Sequence, residues 1–192
     1  TEKVESIRSR EGFTTYEELP QIYKDAVISV EDHRFLSHNG IDVIAIGRAL
    51  VNDIRTMSPA EGGSTITQQL MKNLYFTQEK KLERKFAEVF AALDMESKYT
   101  KEEIFELYVN TIYFGSGYEG IYEAAQGYYG KNPSDLSDYE AVMLAGLPNA
   151  PSSYSLDTNP ELAKQRMRQV LIRMIDCNVM TVNRAEELLS ES

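Results

Sequence analysis

The sequence predicts a mainly α-helical fold. Capping pairs recur along the chain, apolar residues repeat at helical spacing, and strand-like alternation is scarce. Thr15–Glu18, Thr65–Gln68, Thr100–Glu103 and Ser137–Glu140 each place a hydroxyl three residues before Glu or Gln. At that spacing the two side chains satisfy the free N–H groups of a helix start. Asn159-Pro160 adds a fifth start and opens an amphipathic run through Leu162, Met167, Val170, Leu171 and Met174. Taken in order, these signals predict helices at roughly 20–30, 42–55, 65–75, 80–98, 101–112, 119–129, 137–146, 160–177 and 181–190.

Two turn-rich stretches interrupt the pattern, Ser58–Gly63 and the glycines Gly115, Gly117 and Gly120. The segment between Ile41 and Met57 is apolar on more than one side, with a narrow polar stripe of Arg48, Asn52 and Asp53. By pattern alone it reads as a helix buried in the core or as a membrane-contacting one, and the core reading is the simpler.

Bulk properties narrow the function classes. The 192 residues are 42% hydrophobic, enough for one core, so a single domain is expected. One cysteine, Cys177, excludes an intramolecular disulfide and a cysteine-based zinc site. A net charge of −10 disfavours nucleic acid, whose affinity comes from Lys and Arg displacing counterions, and any anionic ligand must meet a local basic patch. The sequence contains no apolar run long enough to span a bilayer and no signal-peptide layout at its start.

Four clusters hold the polar residues that folding explains least. Glu31-Asp32-His33-Arg34-Phe35 leads to His38-Asn39-Gly40, and a carboxylate among apolar residues suits a general base. Glu31 and Arg34 also have the spacing of a plain surface pair. Gly62 to Lys72 is a glycine turn running into a capped helix, which suits a phosphate or sugar, or is an ordinary N-terminus; it lacks the Gly-Lys-Ser/Thr of a phosphate-binding P-loop. Lys80 to Glu88 places Lys81, Arg84, Lys85 and Glu88 on adjoining helical strips, a basic patch in an acidic chain or a solvated face with an Arg84–Glu88 pair. Lys101 to Gly115 is a helix with an aromatic flank and a glycine at its end.

In this order and spacing, the four clusters resemble the motif set of the peptidoglycan glycosyltransferases, which include monofunctional enzymes and the N-terminal halves of class A penicillin-binding proteins. The matching strings are Glu-Asp-x-x-Phe-x-x-His-x-Gly at 31–40, Gly-Gly-Ser-Thr-Ile-Thr-Gln-Gln at 62–69, Arg-Lys-x-x-Glu at 84–88 and the tyrosine-rich helix at 101–115. Glu123-Ala124-Ala125, Ala145-Gly146-Leu147-Pro148 and Arg166–Met174 extend the likeness over nearly the whole chain.

The resemblance implies a lysozyme-like helical head with a smaller apolar jaw at about 41–60 that dips into the membrane, reversing the core reading of that segment. It implies lipid II and a growing lipid-linked glycan as substrates at the outer face of the bacterial plasma membrane. An anchor helix outside these residues is expected, with a transpeptidase domain or cell-wall synthesis proteins as partners and no nucleic acid. Glu31 is implied as catalytic base, with Glu88 as a second catalytic glutamate that holds the basic groups or helps bind Mg²⁺ or Mn²⁺ on the pyrophosphate; no cofactor is obligatory. Arg48, Ser64, Thr65, Gln68, Gln69, Lys72, Lys80, Arg84, Lys85 and Asn110 are implied as substrate-binding, with the inhibitor moenomycin expected on the donor side. Two rivals remain at this stage, a lysozyme-like glycan hydrolase and a non-catalytic lipid II-binding module.

Overall fold

The computed structural model describes residues 2–56, 63–76 and 81–191, and their side chains except those of 50–56 and 81–83. Lys80 and the turn at 58–62 lie outside the described residues. In chain order the helices are α1 (Glu2–Arg8), α2 (Gln21–Glu31), α3 (Val43–Thr56), α4 (Ile66–Tyr75), α5 (Lys81–Lys98), α6 (Lys101–Val109), α7 (Ile121–Tyr129), α8 (Asp138–Gly146), α9 (Pro151–Tyr154), α10 (Pro160–Asp176) and α11 (Val182–Ser190). The fold is mainly α: among the described residues there is no β-strand, only an isolated antiparallel bridge between Tyr113 and Glu119. None of the described helices is long and apolar enough to cross a membrane. The chain divides into two compact units, Thr1–His33 with Val109–Ser192, and Arg34–Tyr108.

The first unit is organised by α8. Residues Ala141 to Gly146 are all buried, so this helix has no polar face and can only lie in the interior. Helices α2 and α10 pack on it. From α2 come Tyr23, Ala26 and Val27, and from α10 Ala163, Met167, Val170, Leu171 and Met174, which form one stripe at helical spacing. Leu162, expected in that stripe, is instead exposed. Four-residue spacing back from Met167 reaches Ala163, and Leu162 falls about 100° away from it.

The second unit packs α4 on α5. Its buried side chains include Phe35, Ile66, Leu70 and Met71, then Ala92 and Met95, then Ile104, Phe105 and Tyr108. At the start of α3, Val43 is 75% and Ile44 54% exposed, so a fully buried helix does not describe its first turn. Residues 41–60 fall within this unit.

Three of the four capping pairs start helices. Thr65 with Gln68 and Ser137 with Glu140 form reciprocal boxes, and Thr100 exchanges hydrogen bonds with Glu103 at 2.9 and 3.2 Å. Thr15 does not start one. Its N–H and hydroxyl both donate to Glu18 Oε2, at 2.7 and 2.9 Å, and close a turn. Pro20 follows two residues later and disfavours helical backbone at Leu19, so the helix begins only at Gln21.

The helix expected to run to 112 stops at Val109. Beyond it the chain folds back: Phe114 N–H donates to Tyr118 O at 2.9 Å and Gly120 N–H to Ile112 O at 2.8 Å. Gly115 therefore belongs to this turn and not to a helix end. A Cβ on Gly120 would stand 2.8 Å from Asn110 O, at a backbone φ of +89°, so only glycine fits that return.

Asp42, not singled out in the sequence, caps α3. Its Oδ1 accepts from the N–H groups of Ile44 and Ala45, both at 3.0 Å, while Oδ2 meets Arg34 Nε at 3.1 Å. Burial alone raises the pKa of this carboxyl, but the two N–H groups together with Arg34 outweigh burial and hold it below the ordinary value of 3.8. The ionised form is therefore the stabilising one. Its contribution is complete above about pH 4 and is lost as pH falls through the depressed value. Asp42→Ala is expected to cost about 1–2 kcal/mol at neutral pH, with the gap from the parent closing below pH 4; urea unfolding across a pH series checks both.

Candidate active site

The first sequence motif is divided between the two units. Glu31 is the last residue of α2 and belongs to the first unit. Its side chain is 13% exposed, and Oε1 lies 3.9 Å from Nη2 of Arg166 on α10. Tyr23, two turns earlier on α2, is fully buried, and its hydroxyl is pushed above the ordinary tyrosine range by burial first and then by the charge of Glu31. Arg34, in the second unit, pairs with Asp42.

The second half of that motif builds the second unit. Phe35 is buried against Phe105, with ring centroids 6.2 Å apart, and meets the His38 ring edge-on at 6.3 Å. His38 Nδ1 accepts from the N–H of Gly40 at 3.1 Å. Gly40 has φ +93°, and a Cβ there would stand 2.9 Å from Ala92 O, so glycine is what lets this loop lie on α5. The Gly40 carbonyl accepts from Thr65 Oγ1 at 2.7 Å, tying the loop to the start of α4.

The basic cluster is organised by Glu88, whose side chain is 3% exposed. Oε1 meets Arg84 Nε at 3.1 Å and Oε2 meets Lys85 Nζ at 3.3 Å. Lys85 also donates to Ser64 Oγ, which brings the glycine turn before α4 and the Arg-Lys-x-x-Glu string of α5 into contact. Gln69 Oε1 accepts from the Tyr108 hydroxyl at 3.2 Å. Lys72 and Arg48 are exposed, on α4 and α3. Two cations on one buried carboxylate leave a local charge of +1, held in a fixed arrangement on the turn side of α4 and α5.

Three residues expected to meet substrate also have scaffold duties. Thr65 and Gln68 are buried and cap α4 through each other. Asn110 is buried, donates to Thr14 O at 2.8 Å and accepts from Thr14 N–H at 2.9 Å, clamping the loop before Pro20. These polar side chains face backbone groups that helix starts and turns leave open, which spacing alone cannot distinguish from ligand contacts.

The sequence reading also missed residues. Glu96 Oε1 accepts from Thr67 Oγ1 at 2.6 Å and from Lys101 Nζ at 2.7 Å, joining α4, α5 and α6, while the Lys101 ammonium sits 4.5 Å over the Phe35 ring. Glu96 and Lys101 are five apart across a helix break, outside the i,i+3 and i,i+4 rules. Arg166 opens a string that matches the family, but nothing local gives it a partner or a role.

With this geometry in hand, the comparisons identify the family. The transglycosylase family model matches residues 2–175. Penicillin-binding protein 1A of Neisseria flavescens is 43% identical over 182 residues, covering 95% of this chain and 23% of that protein. Penicillin-binding protein 1A of Aquifex aeolicus is 42% identical over 179 residues, 93% of this chain and 25% of that protein. The crystal structure of penicillin-binding protein 1A from Haemophilus influenzae aligns with a TM-score of 0.46 at 27% identity, over 66% of this chain and 16% of that one. The chain belongs to the transglycosylase family, the enzymes of peptidoglycan glycosyl transfer. It spans about a quarter of the length of the curated relatives it matches.

Removing the Glu88 carboxylate strips both cations of their shared acceptor. Glu88→Ala is expected to lower unfolding free energy by about 1–3 kcal/mol, and the loss should be smaller in an Arg84→Ala background, where one of the two stranded cations is already gone; a double-mutant cycle by chemical denaturation measures that coupling.

Proposed function

We propose that the chain polymerises lipid II, extending a lipid-linked glycan by β-1,4 transfer with inversion at the donor's anomeric carbon and release of undecaprenyl pyrophosphate. The observation that carries this reading is the Arg84, Lys85 and Ser64 cluster held on buried Glu88. A glycan-cleaving enzyme has no pyrophosphate to meet, so the net positive charge of such a cluster would have no substrate to answer in one. Glu31 takes the proton of the acceptor's 4-hydroxyl as that oxygen attacks the anomeric carbon. The bond from that carbon to the phosphate oxygen breaks, and its electron pair leaves on the pyrophosphate. Lys72, Arg84, Lys85 and Lys80 stabilise the developing charge, Ser64 and Gln69 contribute hydrogen bonds, and Arg48 contacts the donor phosphate. Thr65, Gln68 and Asn110 serve by fixing backbone.

Charge distribution supports the assignment. Residues 34–108 hold ten of the 20 Lys and Arg against eleven of the 30 acids, so the acidity of the chain lies mainly in the other unit. An anionic carrier lipid is therefore met by the less acidic part of the molecule. The exposed Val43 and Ile44 support membrane contact by a jaw at about 41–60, at the outer face of the bacterial plasma membrane. The length of the relatives supports a transpeptidase or other cell-wall partner in a longer protein. With its two oxygens facing two cations, Glu88 is assigned no divalent ion in this reading. Glu88 instead holds the cations in place.

Polymerisation of labelled lipid II in detergent, resolved on a gel, tests the reading. The parent is expected to give a ladder and folded Glu31→Gln to lose at least about 100-fold in rate. Arg84→Ala and Lys72→Ala should each lose about 10- to 100-fold in kcat/KM. Intact lipid II binding without a ladder from the parent would replace this reading with a binding module.

A further inference from the structure

We infer that Arg166 is a positioning residue for the base, holding the Glu31 carboxylate ionised and aimed from a helix far away in sequence. This rests on the proposed role of Glu31 and extends it to two motifs, Ala145-Gly146-Leu147-Pro148 and Arg166–Met174, that the reaction leaves without a task.

The guanidinium is itself fixed at three points, all in the first unit. Nε donates to Gly146 O at 3.3 Å and Nη1 to Gln169 Oε1 at 2.9 Å, while Nη2 stands 3.9 Å from Glu31 Oε1. Its side chain is 12% exposed, so it reaches Glu31 through the protein rather than from solvent. Gly146 makes the passage possible by lacking a side chain: a Cβ there would lie 3.0 Å from Arg166 Cγ and 3.3 Å from Val170 Cγ2. The backbone of Gly146 is ordinary αR, so an added side chain would crowd the arginine stem without straining the backbone. One residue of α8 thus supplies both the room for the arginine stem and the carbonyl that turns its head.

Arg166 brings a cation to within 3.9 Å of Glu31 Oε1. Tyr23 on α2 is neutral and buried, and Asp32, next in the chain, adds a second acid that is also buried. Helix α8 brings no cation: its acids Asp138 and Glu140 sit at the far end, paired with Arg184 and Lys131. On α10, Arg173 pairs with Asp176. Burial and a neighbouring acid favour the protonated form of a carboxyl, in which it cannot accept the acceptor's proton, and a nearby cation favours the ionised form.

The test combines activity with a readout that does not need it. The Glu31 carboxyl is followed by carbon NMR across pH in the parent, Arg166→Met, Arg166→Lys and Gln169→Ala, and lipid II polymerisation is measured over the same range. Gln169 is exposed, so its variant loosens the guanidinium without threatening the fold. Arg166→Met is expected to move the Glu31 titration, and the acid limb of the rate profile, up by about one pH unit and to lower kcat about tenfold more than it changes KM. Arg166→Lys should restore most of the shift, and Gln169→Ala should move it part of the way in the same direction. An unmoved titration in Gln169→Ala and in folded Arg166→Met overturns the inference while leaving the polymerase reading intact. A shifted titration in a parent that makes no glycan supports the Arg166–Glu31 coupling and removes the polymerase reading instead.

Discussion

A buried carboxylate has to be answered by a cation or by N–H groups, and in this acidic chain that constraint decides where the basic residues go. Glu88 is the clearest case. An acid with 3% of its side chain exposed draws Arg84 from one turn before it and Lys85 from the adjoining strip. The same logic fixes Lys101 on Glu96, Arg34 on Asp42 and Lys131 on Glu140. The acids organise the cations, and those organised at Arg84 and Lys85 are the ones to which the proposed function assigns an anionic leaving group. A point charge on a flexible stem becomes a placed charge only when something holds the stem, and preorganised charge is what stabilises a transition state.

Local physics was legible in the sequence and long-range pairing was not. Thr65, Thr100 and Ser137 start helices because a capping box needs only four residues to be complete. Thr15 met the same pattern and failed because Pro20 imposes its own backbone restriction, a neighbour effect the box does not include. The helix from Lys101 was found, but its end was not: Thr111 to Phe114 are β-branched and aromatic residues as suited to the Tyr113–Glu119 bridge as to a helix. Arg84, Lys85 and Glu88 could be grouped from spacing because they share a helix. Ser64 with Lys85, Thr67 with Glu96 and Glu31 with Arg166 meet only through tertiary packing, for which one sequence holds no periodic signal.

Polar residues in conserved-looking strings also divide by task in a way that spacing conceals. In the string from Glu31 to Gly40, the glutamate ends α2 beside Arg166, whereas Phe35, His38 and Gly40 fold a loop onto α5. In the string from Gly62 to Gln69, Ser64 faces Lys85, while Thr65 and Gln68 close the helix start. Alternate residues serve function and scaffold because a helix N-terminus exposes N–H groups needing partners beside the very positions that can reach a ligand. Under the proposed function, a loss of activity on changing Thr65 would come through backbone position and one on changing Ser64 through contact.

In the proposed reading, the contact between Glu31 and Arg166 is how a base can be buried and still function. Taking a carboxylate from water costs several kcal/mol after relaxation. A unit charge about 4 Å away returns about 4 kcal/mol at an effective dielectric near 20. The two are of the same size, so the ion is kept without a large surplus. At 3.9 Å the guanidinium is beyond hydrogen-bond reach of Oε1, and its firm hydrogen bonds go to Gly146 and Gln169. A bidentate pair at 2.8 Å would stabilise the carboxylate further and weaken it as a proton acceptor, because every gain for the ionised form is a loss of basicity. Anchoring the arginine elsewhere, and letting only its field act on Glu31, leaves the carboxylate charged and still able to take a proton.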